Sequence, residues 1–196
     1  GGLTSTEGWP VIGAATGLGA IGLADDCLKF RSPDSHGLGV LPKLLMALAI
    51  GAVVGVGTEP APSIPGWAWE VFAMVVVAGC AHAVNLTDGM DGLAAGCVAI
   101  ALCVIGLWVI LHEPANRTVI IWCASLAGAC ACFLWFNSFP ASIFLGDVGS
   151  LGLGAALGTI SLLTHTALWL VIIGGVFVVE ALSVILQVAS YKWRNK

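Results

Sequence analysis

The chain has 196 residues, of which 9% are charged and 59% hydrophobic, with a net charge of −4 and a mean hydropathy of +1.01. A water-soluble domain carries about 25% charged residues, so this composition excludes one. Seven basic residues against eleven acidic ones also exclude the basic footprint of a nucleic-acid binder.

A membrane-crossing helix needs about 20 mainly apolar residues. Seven such segments are expected, at about 9–24, 43–57, 67–85, 92–111, 118–136, 148–164 and 167–190, which makes the fold an all-α polytopic bundle. The first runs into "GLADDCLKF", which places Asp25 and Asp26 at its C-terminal end. The helix macrodipole disfavours carboxylates there by about 0.3–1 kcal/mol each, so capping is not their reason. They are either a solvated pair bridged to Lys29 at i+4 and i+3 or hard oxygens arranged for a cation such as Mg²⁺. Lys43 opens the second segment, either as a snorkelling anchor or as a group facing an anion.

Between the third and fourth segments stands "NLTDGMDGL". Thr87 or Asp88 can N-cap the fourth helix, with Asp91 in its first turn. Asn85, Gly89 and Gly92 exceed what a cap needs. "FNSFPASIFLGDVGSLGLG" leads into the sixth segment with the same grammar: Asn137, then Phe144, Asp147, Gly149 and Ser150. Asp147 can cap that helix, yet a helix start flanked by glycines also binds phosphate through its free N–H groups. A divalent cation would let Asp147 share the place with a diphosphate. Glu180, inside the seventh segment, is either functional or a hydrogen-bonded structural group.

Seven segments put Lys29, Arg31, Lys43, Lys192, Arg194 and Lys196 on one side and Arg117 on the other, which makes the first side cytoplasmic. All six aspartates, Asp25, Asp26, Asp34, Asp88, Asp91 and Asp147, fall on that side, while the loop residues Glu7, Glu59 and Glu113 fall opposite. The orientation rule is nearly indifferent to acids, so this segregation points to a convergent acidic site. Tryptophans 9, 67, 69, 108, 135, 169 and 193 lie near the expected span ends, as amphipathic indoles do. The seven cysteines read as small packing residues. His36, His82, His112 and His165 have no metal-ligand spacing and read as loop or interface residues. The start at Gly1, with no initiator methionine, reads as that of a piece of a longer protein, a single membrane domain over 1–196 incomplete at both ends.

Three acidic clusters and a few cations at one membrane face suit Mg²⁺-dependent transfer of a phosphorylated group from a soluble diphosphate donor to a lipid, chemistry that is mostly positioning and charge neutralisation. Through "DDCLK", "NLTDGMDGLA" and "FLGDVGSLGLG" the chain resembles the polyprenyl-phosphate N-acetylhexosamine-1-phosphate transferases over nearly its whole length. "HAVNLTDGMDGLA", "FLWFNSFPASIFLGDVGSL" and "EALSVILQV" bring it nearest to the members that build the first lipid intermediate of bacterial peptidoglycan.

The resemblance implies UDP-N-acetylmuramoyl-pentapeptide as donor, undecaprenyl phosphate as acceptor, UMP as leaving group, and a bacterial cytoplasmic membrane with the site on its inner face. It implies Mg²⁺ on Asp147, with Asp25 and Asp26 positioning or deprotonating the lipid phosphate or forming a phospho-enzyme. Lys29 and Lys43 would meet phosphates, Asn85, Asp88, Asn137 and Ser150 would organise the site, and Asp91 with Phe144 would hold and stack the uracil. It leaves a homodimer open as the assembly. The family has about ten spans, a His-rich loop beyond the helix ending near Lys196 and commonly an asparagine where this chain has His82. The alternatives are a transferase using UDP-N-acetylglucosamine for another envelope polymer and a cation transporter. The latter expects acids near the bilayer midplane, where only Glu180 stands.

Overall fold

The computed structural model describes residues 8–31, 37–61 and 64–194. Glu7, Asp34, His36 and Lys196 lie outside the described residues. The described residues form eight helices: α1 (Trp9–Arg31), α2 (Val40–Gly57), α3 (Gly66–Thr87), α4 (Leu93–His112), α5 (Arg117–Asn137), α6 (Gly146–Leu163), α7 (Leu170–Ile173) and α8 (Gly175–Arg194). All but α7 are long and apolar enough to cross a membrane. The protein is an all-α, multi-pass membrane bundle.

Helix α6 is the centre, packed against α1, α3 and α4, while α4 and α5 pair beside it. Leu151, Leu157, Ile160 and Leu162 of α6 are almost wholly buried. Close approach depends on small residues, the packing device of membrane helices. A Cβ on Gly154 would stand 2.6 Å from Ala81 Cα, and one on Gly22 2.7 Å from the Val148 nitrogen, so α3 and α1 both meet α6 backbone to backbone.

Three expectations about the elements change. Helix α1 continues through Arg31, nearly two turns beyond residue 24, so Asp25 and Asp26 lie inside it rather than at its C-terminal end. The charged residues there end the hydropathy signal but not the helix, because Lys29 pairs with Asp25 and Asp26 and Asp25 is buried. The fourth helix starts at Leu93 behind Gly92, whose φ is 75° and which makes no side-chain cap. Asp88 instead closes the C-terminus of α3, and Asp91 lies outside any helix. The segment 167–190 is two helices, α7 and α8, separated at Gly174. Trp69, expected near the membrane surface, is buried, with its Nε1 donating to Thr58 Oγ1 at 3.0 Å.

Candidate functional site

The end of the bundle where α1 finishes and α2, α4 and α6 begin gathers the predicted residues. Asp25, Asp26 and Asp147 each present one carboxylate oxygen, and these atoms lie within 4.8 Å of one another. Two lysines hold them. Lys29 Nζ is 2.6 Å from Asp25 Oδ2, 3.5 Å from Asp26 Oδ1 and 3.2 Å from Asp147 Oδ2. Lys43 Nζ is 3.1 Å from both Asp25 Oδ2 and Asp147 Oδ2. The i+3 and i+4 spacing on α1 supplies the first two contacts, and helix packing supplies the rest.

The two neighbouring aspartates differ. Asp25 is fully buried, its Oδ1 accepting from the Leu38 backbone N–H and its Oδ2 facing both lysines. Its solvated reading is therefore overturned: an isolated buried carboxylate would be prohibitively costly, and three donors compensate this one. Asp26 is more open, and its Oδ2 accepts from the Val148 N–H at 3.3 Å. That N–H of the first turn of α6 is thus engaged by a protein carboxylate rather than free for phosphate.

Asp147 sits inside the first turn of α6, after the capping position at Leu145. It is not a cap. Its Oδ1 accepts from Asn85 Nδ2 at 3.0 Å, and the same amide donates to Ser150 Oγ at 2.8 Å. Ser150 in turn donates to the Gly146 carbonyl. Asn85 on α3 therefore fixes the rotamer of Asp147 and spends its amide donors doing so.

Asp88, just beyond α3, faces Gly146 and lies within electrostatic reach of Asp147 and Asp26. Burial pushes its carboxyl up to about 6, the two neighbouring carboxylates add to the rise, and the Gly146 N–H partly offsets it.

Asp91 and Asn137 form a second group that joins the two loops. Asp91 Oδ2 accepts from Ala141 N–H at 3.0 Å. Asn137 Oδ1 accepts from Gly92 N–H at 3.1 Å, and its Nδ2 donates to the Ile143 carbonyl at 2.9 Å. These bonds bind 88–92 to 138–145 and leave Phe144 exposed on the joined rim. No side-chain hydrogen bond links this group to the aspartate and lysine network among the described residues.

Glu180 is partly buried and makes no hydrogen bond or ion pair among the described residues. His82, expected as an ordinary loop or interface residue, lies on α3, and its Nε2 is buried with no partner among the described residues. Its place one turn before Asn85 was the signal available.

An acidic triad of this kind offers the hard oxygen ligands that suit a divalent cation. Three carboxylates against two ammonium groups leave one net negative charge, which suits a dication and a phosphorylated ligand together.

The chain resembles phospho-N-acetylmuramoyl-pentapeptide-transferases of Desulfotalea psychrophila, 41% identical over 94% of this chain and 59% of the relative, and of Citrifermentans bemidjiense, 40% identical over 96% and 60%. The protein of that name from Oleidesulfovibrio alaskensis is 38% identical over 98% of this chain and 62% of its own. The chain thus spans about three fifths of the length of the relatives it matches. The model of glycosyl transferase family 4 matches residues 9–165, which include α1 to α6 and every site residue above, and the chain belongs to that family.

Proposed function

We propose that the protein transfers phospho-N-acetylmuramoyl-pentapeptide from its UDP-linked donor to undecaprenyl phosphate, forming the first lipid intermediate of peptidoglycan synthesis and releasing UMP. The observation that carries this reading is the network of Asp25, Asp26 and Asp147 with Lys29 and Lys43 at one end of a membrane bundle. A soluble diphosphate and a lipid phosphate can meet only at such a surface. The relatives' names support the identity of the transferred group.

In this reading a phosphate oxygen of the acceptor attacks the donor phosphorus attached to the sugar. The bond from that phosphorus to the bridging oxygen breaks, and UMP leaves with the electron pair. Lys29 and Lys43 neutralise phosphoryl oxygens on both partners. Asp26, the more open of the pair, takes a proton from the acceptor phosphate, while Asp25 holds the two lysines and the Leu38 backbone in register. Asp147, oriented by Asn85 and Ser150, would hold Mg²⁺. A bound Mg²⁺ supplies charge neutralisation of the diphosphate. Asp91, Asn137 and Phe144 form the rim that receives the uracil, Phe144 by stacking. The inner face of a bacterial cytoplasmic membrane is the location that fits a UDP-linked donor.

The test is release of UMP by the purified protein, given donor, undecaprenyl phosphate and Mg²⁺. Asp147→Ala should abolish it, and full activity in that variant would remove the metal assignment. Substituting UDP-N-acetylglucosamine for the donor separates this activity from that of a transferase for another envelope polymer.

A further inference from the structure

The seam between α2 and α3 carries a polar group that the network above does not use. His82 lies on α3 one turn before Asn85, and its Nε2 is buried with no hydrogen-bond partner among the described residues. Buried polar atoms in native proteins are nearly always paired, with protein, water or ligand.

Helix packing gives the register of His82 against α2. Helices α2 and α3 run antiparallel and touch through glycines: a Cβ on Gly55 would lie 2.9 Å from Glu70 Cα, and one on Gly51 2.6 Å from Met74 Cα. Residues four apart share a helix face, so each step of four back along α2 moves four forward along α3. The next pair is Ala47 with Ala78, and both are buried. The pair after that is Lys43 with His82. In agreement, the imidazole lies within electrostatic reach of Lys43 and Asp147. An ammonium group has three donors, and Lys43 spends two of them, on Asp25 and on Asp147. One donor remains on Lys43, within electrostatic reach of an imidazole whose Nε2 has no partner among the described residues.

We infer that His82 is a substrate-binding residue: its Nε2–H and the remaining N–H of Lys43 together hold one phosphoryl oxygen of a substrate. The inference rests on the phosphate-handling reading of the site and adds a residue to it. A cation would be repelled by Lys43, and an apolar group would leave both donors unpaired. An oxygen acceptor satisfies them together, and in a phosphate site that also holds Lys29 the acceptor a substrate brings is a phosphoryl oxygen. It belongs either to the nucleoside diphosphate or to the lipid phosphate.

The experiment measures binding of UDP and, separately, of undecaprenyl phosphate to the protein in lipid nanodiscs with Mg²⁺. His82→Leu should weaken one of the two about tenfold, the order expected for a charge-assisted hydrogen bond, and His82→Gln should recover most of the loss. The weakened ligand identifies the source of the oxygen. In a Lys43→Met background the His82→Leu change should cost little more, because both donors serve one atom. On wild-type protein labelled with ¹⁵N-histidine, the His82 Nε2 resonance should move when that ligand is added, a readout independent of how the variants fold. Unchanged affinity for both ligands in His82→Leu, full additivity with Lys43→Met, or an unmoved resonance would each overturn the inference while leaving the wider reading intact. If wild type binds neither ligand, the phosphate reading of the whole site falls, and this inference with it.

Discussion

Gly22→Ala puts the site's geometry to its most direct test. A Cβ at position 22 would stand 2.7 Å from the Val148 nitrogen and closer still to the carbonyl carbon and oxygen of Asp147. Non-bonded heavy atoms prefer separations of about 3.5–4.0 Å, so the shortfall is about 1 Å, and it is met by backbone that cannot rotate away. Helices α1 and α6 must therefore part by about that distance, carrying Asp25 and Asp26 away from Asp147. Overpacking of this sort costs about 1–3 kcal/mol in stability, and a 1 Å misplacement in an active site costs about 100-fold in rate. Gly13→Ala, on the same helix with nothing within 4 Å of the added carbon, is the matched control. UMP release and the thermal unfolding midpoint in detergent should both fall in Gly22→Ala and stay near wild type in Gly13→Ala. Wild-type turnover and midpoint in Gly22→Ala would refute the idea that the α1–α6 contact sets the spacing of the aspartates.

The lysines should not be equivalent. Lys43→Met, removing a mostly buried partner of the wholly buried Asp25, should destabilise the fold by about 3–5 kcal/mol, whereas Lys29→Met, with its side chain 42% exposed, should cost about 1 kcal/mol or less; chemical unfolding of the two variants compares them. Asp88 gives a pH signature. Its carboxyl, at about 6 against an ordinary 3.8, favours the neutral form when folded, so its stabilising contribution is complete below about pH 3.8 and lost as pH rises through 6. The melting temperature of wild type relative to Asp88→Asn should accordingly decline between those values, and a parallel pair of pH curves would contradict it. Asn137→Ala strands the Gly92 N–H and the Ile143 carbonyl, a loss of about 1–3 kcal/mol; hydrogen exchange should quicken in 88–92 and 138–145 and stay unchanged in α1.

Much of this was legible in the sequence, for reasons that differ by residue. Seven spans follow from hydropathy, and the shared side of the aspartates follows from counting spans. The i+3 and i+4 pairing of Lys29 with Asp26 and Asp25 is a property of one helix and needed no tertiary knowledge. What composition hides is where a helix outlives its apolar run. The last turns of α1 persist because Lys29, Lys43 and the Leu38 N–H compensate Asp25, and two of those partners lie outside α1. The capping expected of Thr87 or Asp88, and the first-turn place expected of Asp91, failed because Gly92, at positive φ, starts α4, and Asp91 is taken by Ala141, fifty residues away in sequence. His82 reads as an ordinary loop or interface residue in the sequence because an unpaired nitrogen is a statement about neighbours, which spacing alone does not reveal.

The two lysines among the three carboxylates carry a consequence for metal uptake. Carboxylate oxygens within 4.8 Å of one another would repel without compensation, but Lys29 and Lys43 act as resident counterions, so the helices can assemble whether or not a dication is at hand. Any dication that enters must then compete with an ammonium group for Asp147 Oδ2, which makes loading an ion exchange within the protein. Its affinity is set as much by where the lysines can go next as by the aspartates that receive it, and in the proposed function a phosphorylated substrate gives them that destination.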